Sequence, residues 1–358
     1  MRRCAASLLL IAWLQSSAHS DRAPSDKGHH DPVAAVGASS PWIDLSSSNA
    51  LENVAGHDDD DSEAAHGDHK IASVATLAGL YAGFTTWTYF AWYRKHKPLS
   101  QFRWGGDGWL GDKTYAGGAD KFGHAWATYG LARGGTELLS QWGGYSRLTS
   151  AIIATSLAEA LFLGVEVKDG FYYEFSFSDA TGDTLGALAA FALSVWPRLD
   201  ELFDYRVQYW PSQMYLRKVD GSSPCPSGGC SKWNIAEDYS GETYLLAFHL
   251  GGIHALRDMK YGTLARFIDI AVGFDTRNYK PTPDAELMLT PRQQLFIGVS
   301  LNAQGLFDWL LEGRHSKPAR VTRKLTHGLF EMFNLPFTTL RGPEYSHVPD
   351  GSPATDGA

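Results

Sequence analysis

The chain has 358 residues, a formal net charge of −8 and a hydrophobic fraction of 44%. That length suits one large domain or two smaller ones with a real core. The composition is that of a globular or membrane-associated protein, not a disordered one, and the absence of a basic footprint excludes nucleic acid as a partner.

The first element is an address. "MRR" is a basic start, "CAASLLLIAWL" a short apolar run, and "SSAHS" a set of small residues at cleavage-compatible spacing. Together they predict a signal peptide over residues 1–20, cleaved on export to the bacterial cell envelope. The run is too short for a convincing membrane anchor. Cys4 precedes it, whereas a lipid-attachment cysteine would follow it, so Cys4 is not read as lipidated. Residues 21–68 are rich in Ser, Asp, His, Gly and Ala and are expected to be a disordered linker. Its "GHDDDDSEAAHGDH" reads as a solvated tail rather than an ion site.

Order begins near Lys70. Residues 71–93 hold no charged residue over a length that could span a bilayer or form a buried helix, and "RKHKP" stops them. A glycine- and tryptophan-rich connection covers 104–118. Helices are then expected over 119–141, 148–168 and 178–196, the last ended by Pro197. Their Gly, Ala, Ser and Thr residues suit close packing, as in membrane bundles. Residues 69–200 are therefore expected to form a four-helix, membrane-associated bundle.

After residue 200 the period changes to two. "ETYLLAFHL", "RFIDIAVGF" and "QLFIGVSLN" each alternate, which predicts a small antiparallel β-meander within 201–325 with one buried apolar face. His249 and Asp269 fall on the opposite, polar face. Three strands cannot close a barrel. The fold class is thus α+β, with 326–358 as a tail that starts in a short helix. Cys225 and Cys230 lie in "SSPCPSGGCSK", and in an oxidising compartment a disulfide is expected to close that loop.

Chemistry is expected in the helical half. Asp120 and His124 are four apart at the start of one helix, Glu159 and Glu166 are seven apart on the next with Asp169 just beyond, and Asp179 and Asp183 are four apart at the start of the last. Such spacings put residues on one face. If the ends converge, oxygen and imidazole ligands could hold a divalent cation, and crowded carboxylates could supply an acid beside a base. The plainer reading is that Asp120 and Asp179 cap helix N-termini, that Lys121 and Lys168 neutralise carboxylates, and that Arg133 and Glu137 form an exposed pair. The sequence shows no Gly-x-Ser-x-Gly elbow, His-Glu-x-x-His motif or phosphate-cradling glycine loop.

"DKFGH", "EVKDGF" and "FSFSDATGDTLGA" resemble the YfiM-like predicted periplasmic lipoproteins, and the polar pattern is similar to that of VanZ-like proteins. The resemblance spans roughly residues 70–305. It implies an envelope location and marks Asp120, Lys121, His124, Glu166, Asp169 and Asp179 as the positions to watch. Asp183 stands where the family pattern has asparagine, which adds a negative charge.

Two functions follow as expectations. One is a membrane-associated envelope factor contacting lipid or glycan through the polar end of the bundle. The other is a metal-assisted hydrolase or transferase acting on a lipid-linked phosphate or ester. In the second, Asp120, His124, Glu166 and Asp183 hold the metal, and Asp179 or Asp169 is the base.

Overall fold

The computed structural model describes residues 69–349, apart from 107, 112–113, 223–234, 258, 261 and 282–288. The expected signal peptide, linker and Cys225–Cys230 disulfide lie outside the described residues.

Four long helices make the first half. Helix α1 (Lys70–Thr88) runs on into a π turn over Tyr89–Tyr93. Helix α2 (Ala119–Glu137) likewise ends in a π turn, Leu138–Trp142. Helix α3 (Arg147–Tyr172) starts where the Ser146 hydroxyl accepts from the Thr149 amide, and α4 (Phe177–Val195) where Ser176 accepts from Asp179. These caps satisfy amides that a helix start leaves without partners. A parallel pair of two-residue strands, β1 (Trp104–Gly105) and β2 (Phe175–Ser176), ties the chain before α2 to the chain before α4.

Among the described residues only α3 is long and apolar enough to cross a membrane by length and composition, with 33% of that stretch buried. The run 71–93 does not meet the same measure.

Helices α2 and α4 approach closely because α4 offers glycines to α2. A Cβ on Gly186 would lie 2.0 Å from the Ala125 carbonyl oxygen, and one on Gly182 would lie 2.7 Å from that of Lys121. Gly186→Ala must push the helices apart. It should cost about 2–3 kcal/mol, at the upper end of overpacking effects, read as a lower midpoint in a urea titration.

The second half exceeds the expected meander. Six short or medium helices join the four long ones, so the described residues hold ten α-helices, not four. The six are α5 (Pro197–Asp200), α6 (Gln213–Asp220), α7 (His254–Arg257), α8 (Gly262–Ala265), α9 (Ala303–Leu311) and α10 (Lys317–Met332). The sheet has six strands in the order β7-β3-β4-β5-β6-β8. They are β3 (Phe203–Tyr209), β4 (Glu242–His249), β5 (Ile268–Arg277), β6 (Arg292–Leu301), β7 (Phe333–Asn334) and β8 (Thr339–His347). The segment read as a tail therefore supplies both edges. Pro343 sits in edge strand β8, where a missing amide is tolerated.

The faces of this sheet are inverted relative to the expectation. Leu246, Val272 and Ile297 are direct neighbours across β4, β5 and β6, and they are exposed at 49%, 47% and 52%. Leu295, Val299, Leu340 and Tyr345 extend the exposed apolar face to β8. The buried face carries Asp204, Arg206, His249, Asp269 and Asp275 beside Ala247 and Ala271. The sheet curls around that polar face. Asn334 on one edge donates to Gln208 of β3 and to Thr339 of β8, and accepts from Ser300 of β6, so the two edges meet through side chains.

Among the described residues, α2 packs on one end of the apolar face, joined there by Leu193 of α4 against Phe203 and Tyr205. Phe122 stacks on Phe274 at 4.5 Å, Tyr129 packs edge-on against Tyr205, and the Tyr205 hydroxyl donates to the Phe122 carbonyl. The central helix of the bundle is thereby fixed to the sheet.

Candidate metal centre in the helical bundle

Helix α2 starts abruptly. Ala116, Gly117 and Gly118 all have positive φ, at 52°, 64° and 85°. Two glycines make this left-handed turn accessible, whereas Ala116 adopts it at a cost. The turn brings Asp120, Lys121 and His124 into the first turns of α2. There they face the last turns of α3 and the first of α4, the geometry that converging helix ends require.

His124, Glu166 and Asp183 meet. One ligand atom from each lies within 4.8 Å of the other two. His124 Nδ1 is 3.1 Å from Asp183 Oδ1 and 3.6 Å from Glu166 Oε1. Both carboxylates are buried, and His124 is half-buried. Each acid is held on one side only. Thr128, one turn beyond His124, donates to Asp183 Oδ1 at 2.9 Å, and the Ser176 amide donates to Glu166 Oε2 at 3.2 Å. Oε1 of Glu166 and Oδ2 of Asp183 accept no hydrogen bond. Buried oxygens of this kind normally have partners, so two beside one imidazole call for an explanation.

The other expected residues surround this trio without joining it. Lys121 bridges Asp120 at 2.7 Å and Asp179 at 3.1 Å, so Asp120 stands with its lysine rather than in the ligand set. Asp169 accepts from the Tyr93 hydroxyl at 2.6 Å. Lys168 lies 3.8 Å from the centre of the Tyr93 ring. Glu159 lies two turns before Glu166 on α3 and accepts from Thr184. Arg133 and Glu137 are not an exposed pair. Arg133 is buried against Glu331 and Asp200, and Glu137 pairs with Arg147.

The charges push one another. Burial opposes the charged form of His124, but the hydrogen bond that its ring N–H donates to Asp183 and the surrounding carboxylates win and raise it to about 10. Burial lifts Glu166 to about 8, against the pull of His124 and with help from Asp179, Asp169 and Asp183. Burial likewise lifts Asp169 to about 6, partly offset by the Tyr93 hydroxyl. Both acids are crowded by negative charge in a poorly solvated place, an environment that a cation relieves.

This same stretch has relatives. Residues 106–195 match the model of a family described as predicted periplasmic lipoprotein (DUF2279). The matched stretch is well short of half the chain, yet it contains Asp120, Lys121, His124, Glu166, Asp169, Asp179 and Asp183. The description supports an envelope or periplasmic location. Searches among curated proteins and among solved structures find no match.

Three partners of the cluster were not anticipated. Thr128 was legible, because it repeats the four-residue spacing from His124. Ser176 stands just before a helix start, where a cap was to be expected but not an amide aimed at Glu166. Tyr93 closes an apolar run, and nothing in its neighbours signals a tie to Asp169.

Proposed function

We propose that this exported envelope protein binds a divalent cation at His124, Glu166 and Asp183 and uses it in hydrolysis or transfer on a lipid-linked phosphate or ester. The observation that carries the reading is the pair of unpartnered buried oxygens, Glu166 Oε1 and Asp183 Oδ2, beside His124 Nδ1. One imidazole and two carboxylates suit Zn²⁺ or Mn²⁺ and leave positions for water or substrate. A bound cation would polarise a phosphoryl or carbonyl oxygen and acidify a water.

The chain's own groups have definable tasks in this scheme. Thr128 and the Ser176 amide fix the two carboxylates and leave one oxygen of each for the ion. Lys121, held by Asp120 and Asp179, places positive charge at the edge of the site for an anionic substrate. Asp169, oriented by Tyr93, is the base.

Equilibrium dialysis against Zn²⁺ or Mn²⁺ followed by metal analysis tests the reading. One ion per chain is expected. Losing an outer-shell partner costs roughly 10–100-fold in affinity, so Thr128→Val should fall in that range and His124→Ala beyond it. Absence of bound metal, with His124→Ala only lowering the melting temperature, would sink the proposal. A purely structural cluster also predicts that Asp183→Asn is neutral or stabilising.

A second reading is favoured by the exposed apolar face of the sheet. In it, the protein is a non-enzymatic factor that contacts envelope lipid or glycan. It predicts full function with the metal ligands removed.

A further inference from the structure

A cluster of aromatic rings lies beside the metal centre. Trp104 stacks on Phe177 at 5.8 Å and touches Phe102 and Phe175, and Phe102 meets Phe171 edge-on at 5.0 Å. Hydrophobic rings in mutual contact usually hide. Here Trp104 is 68% exposed, Phe177 60% and Phe171 46%. The cluster is built into the site, because Ser176, between Phe175 and Phe177, is the residue whose amide holds Glu166.

A basic segment runs alongside. Residues 94–103, "RKHKPLSQFR", contain Arg94, Lys95, Lys97 and Arg103 and no acid, in a chain whose net charge is −8. All four cations are exposed. The segment is pinned against the aromatic cluster. The Leu99 amide donates to the Phe171 carbonyl, the Arg103 amide to that of Gly170, and the Phe175 amide to that of Arg103. The nearby Glu174 is exposed as well, but its carboxylate is engaged locally, accepting from the Gly106 amide at 2.5 Å, and four cations face this one acid.

We infer that this collar seats the protein on an anionic lipid surface and so brings lipid headgroups to the His124–Glu166–Asp183 centre. Exposed Trp and Phe beside Lys and Arg match the two layers of a bilayer interface, acyl chain and phosphate. The alternatives fit less well. The acidic stretch at residues 57–63 could answer the lysines but has no apolar residue to cover Trp104 and Phe177. A second copy carries the same net negative charge overall. The inference names the membrane partner of the proposed function, and it rests on that reading for what the site does there but not for the binding itself.

Co-sedimentation of the full chain with vesicles tests it. The chain should bind vesicles of phosphatidylcholine mixed with phosphatidylglycerol, bind pure phosphatidylcholine weakly, and release at high salt. At ~1 kcal/mol per basic residue, the double change Lys95→Gln, Lys97→Gln should weaken binding about 30-fold. Trp104→Ala should weaken it roughly tenfold with the fold intact by circular dichroism, since the ring is mostly exposed. Equal binding to both vesicle types, or variants that bind like the parent, overturns the inference. So does a Trp104→Ala variant that loses a dimer by analytical ultracentrifugation while its vesicle binding is unchanged. Asp183→Asn should leave vesicle binding intact while abolishing metal uptake, which separates failure of the lipid inference from failure of the metal reading.

Discussion

Arg206→Met should destabilise the protein by about 3–5 kcal/mol, the usual cost of removing one partner from a buried ion network. Arg206 is 1% exposed on the inner face of the curled sheet. It donates to Asp204 on its own strand, to Asp269 on β5 at 2.8 Å, and to Gln304 at the start of α9 at 3.1 Å. His249 lies between the same two acids, 2.9 Å from Asp204 and 2.7 Å from Asp269, and Asn302 also donates to Asp269. Two carboxylates are thus balanced by one guanidinium and one imidazolium. Without Arg206 a negative charge stays buried and unbalanced, and chemical denaturation should show the loss directly.

The same network sets a pH dependence. Burial alone would lower His249, but Asp204 and Asp269 overcome it and raise it to about 9. A folded pKa above the unfolded value of about 6.5 means the stabilisation is complete below that pH and is lost as pH rises through the folded value. Stability should fall by about 3 kcal/mol between roughly pH 6.5 and 9. In His249→Gln this slope should disappear. If urea midpoints of the parent are flat across that window, the imidazolium is not part of the balance.

Arg133→Met should have a comparable cost, about 3–5 kcal/mol. Arg133 projects from α2 and ties three distant segments together. Its guanidinium binds Glu331 of α10, Asp200 of α5 at 2.5 Å and the Ser194 hydroxyl of α4 at 3.1 Å. Burial pushes Glu331 up to about 7 even with Arg133 opposing it. In the variant, therefore, Glu331 can take up a proton and shed its charge. The penalty should shrink as pH is lowered from about 8 to 6, and a constant penalty across that range would show that the lost contact is packing rather than charge.

The helical half was readable because its signals are local. The expected spans 119–141, 148–168 and 178–196 agree with α2, α3 and α4 to within a few residues, since capping serines, Pro197 and the apolar period all act over one or two turns. Spacing also placed His124, Glu166 and Asp183 on faces able to meet. It did not separate Asp120 from that group, because the choice between Lys121 and a shared site is made by side-chain direction. Arg133 was misjudged because Glu137, four residues away, was the nearer candidate, while its actual partners lie 61, 67 and 198 residues on. The sheet was misread for a different reason. Alternation divides a strand into two faces but does not say which is buried. The expectation assigned the apolar face to the core, and the curl instead encloses the charged one. Strand β8, "TLRGPEYSH", carries Gly342 and Pro343 and so does not read as a strand at all.

A sheet that encloses aspartate and arginine while presenting leucine and isoleucine outward gains little from collapse in plain water. The unfolded chain would bury Leu246, Val272 and Ile297 first, and a one-residue register slip would do that by turning the network outward. Water thus rewards the wrong registers. Yield of correctly folded protein from denaturant should therefore rise when mild detergent shields the outward face during refolding, and misregistered, aggregating chains should dominate without it.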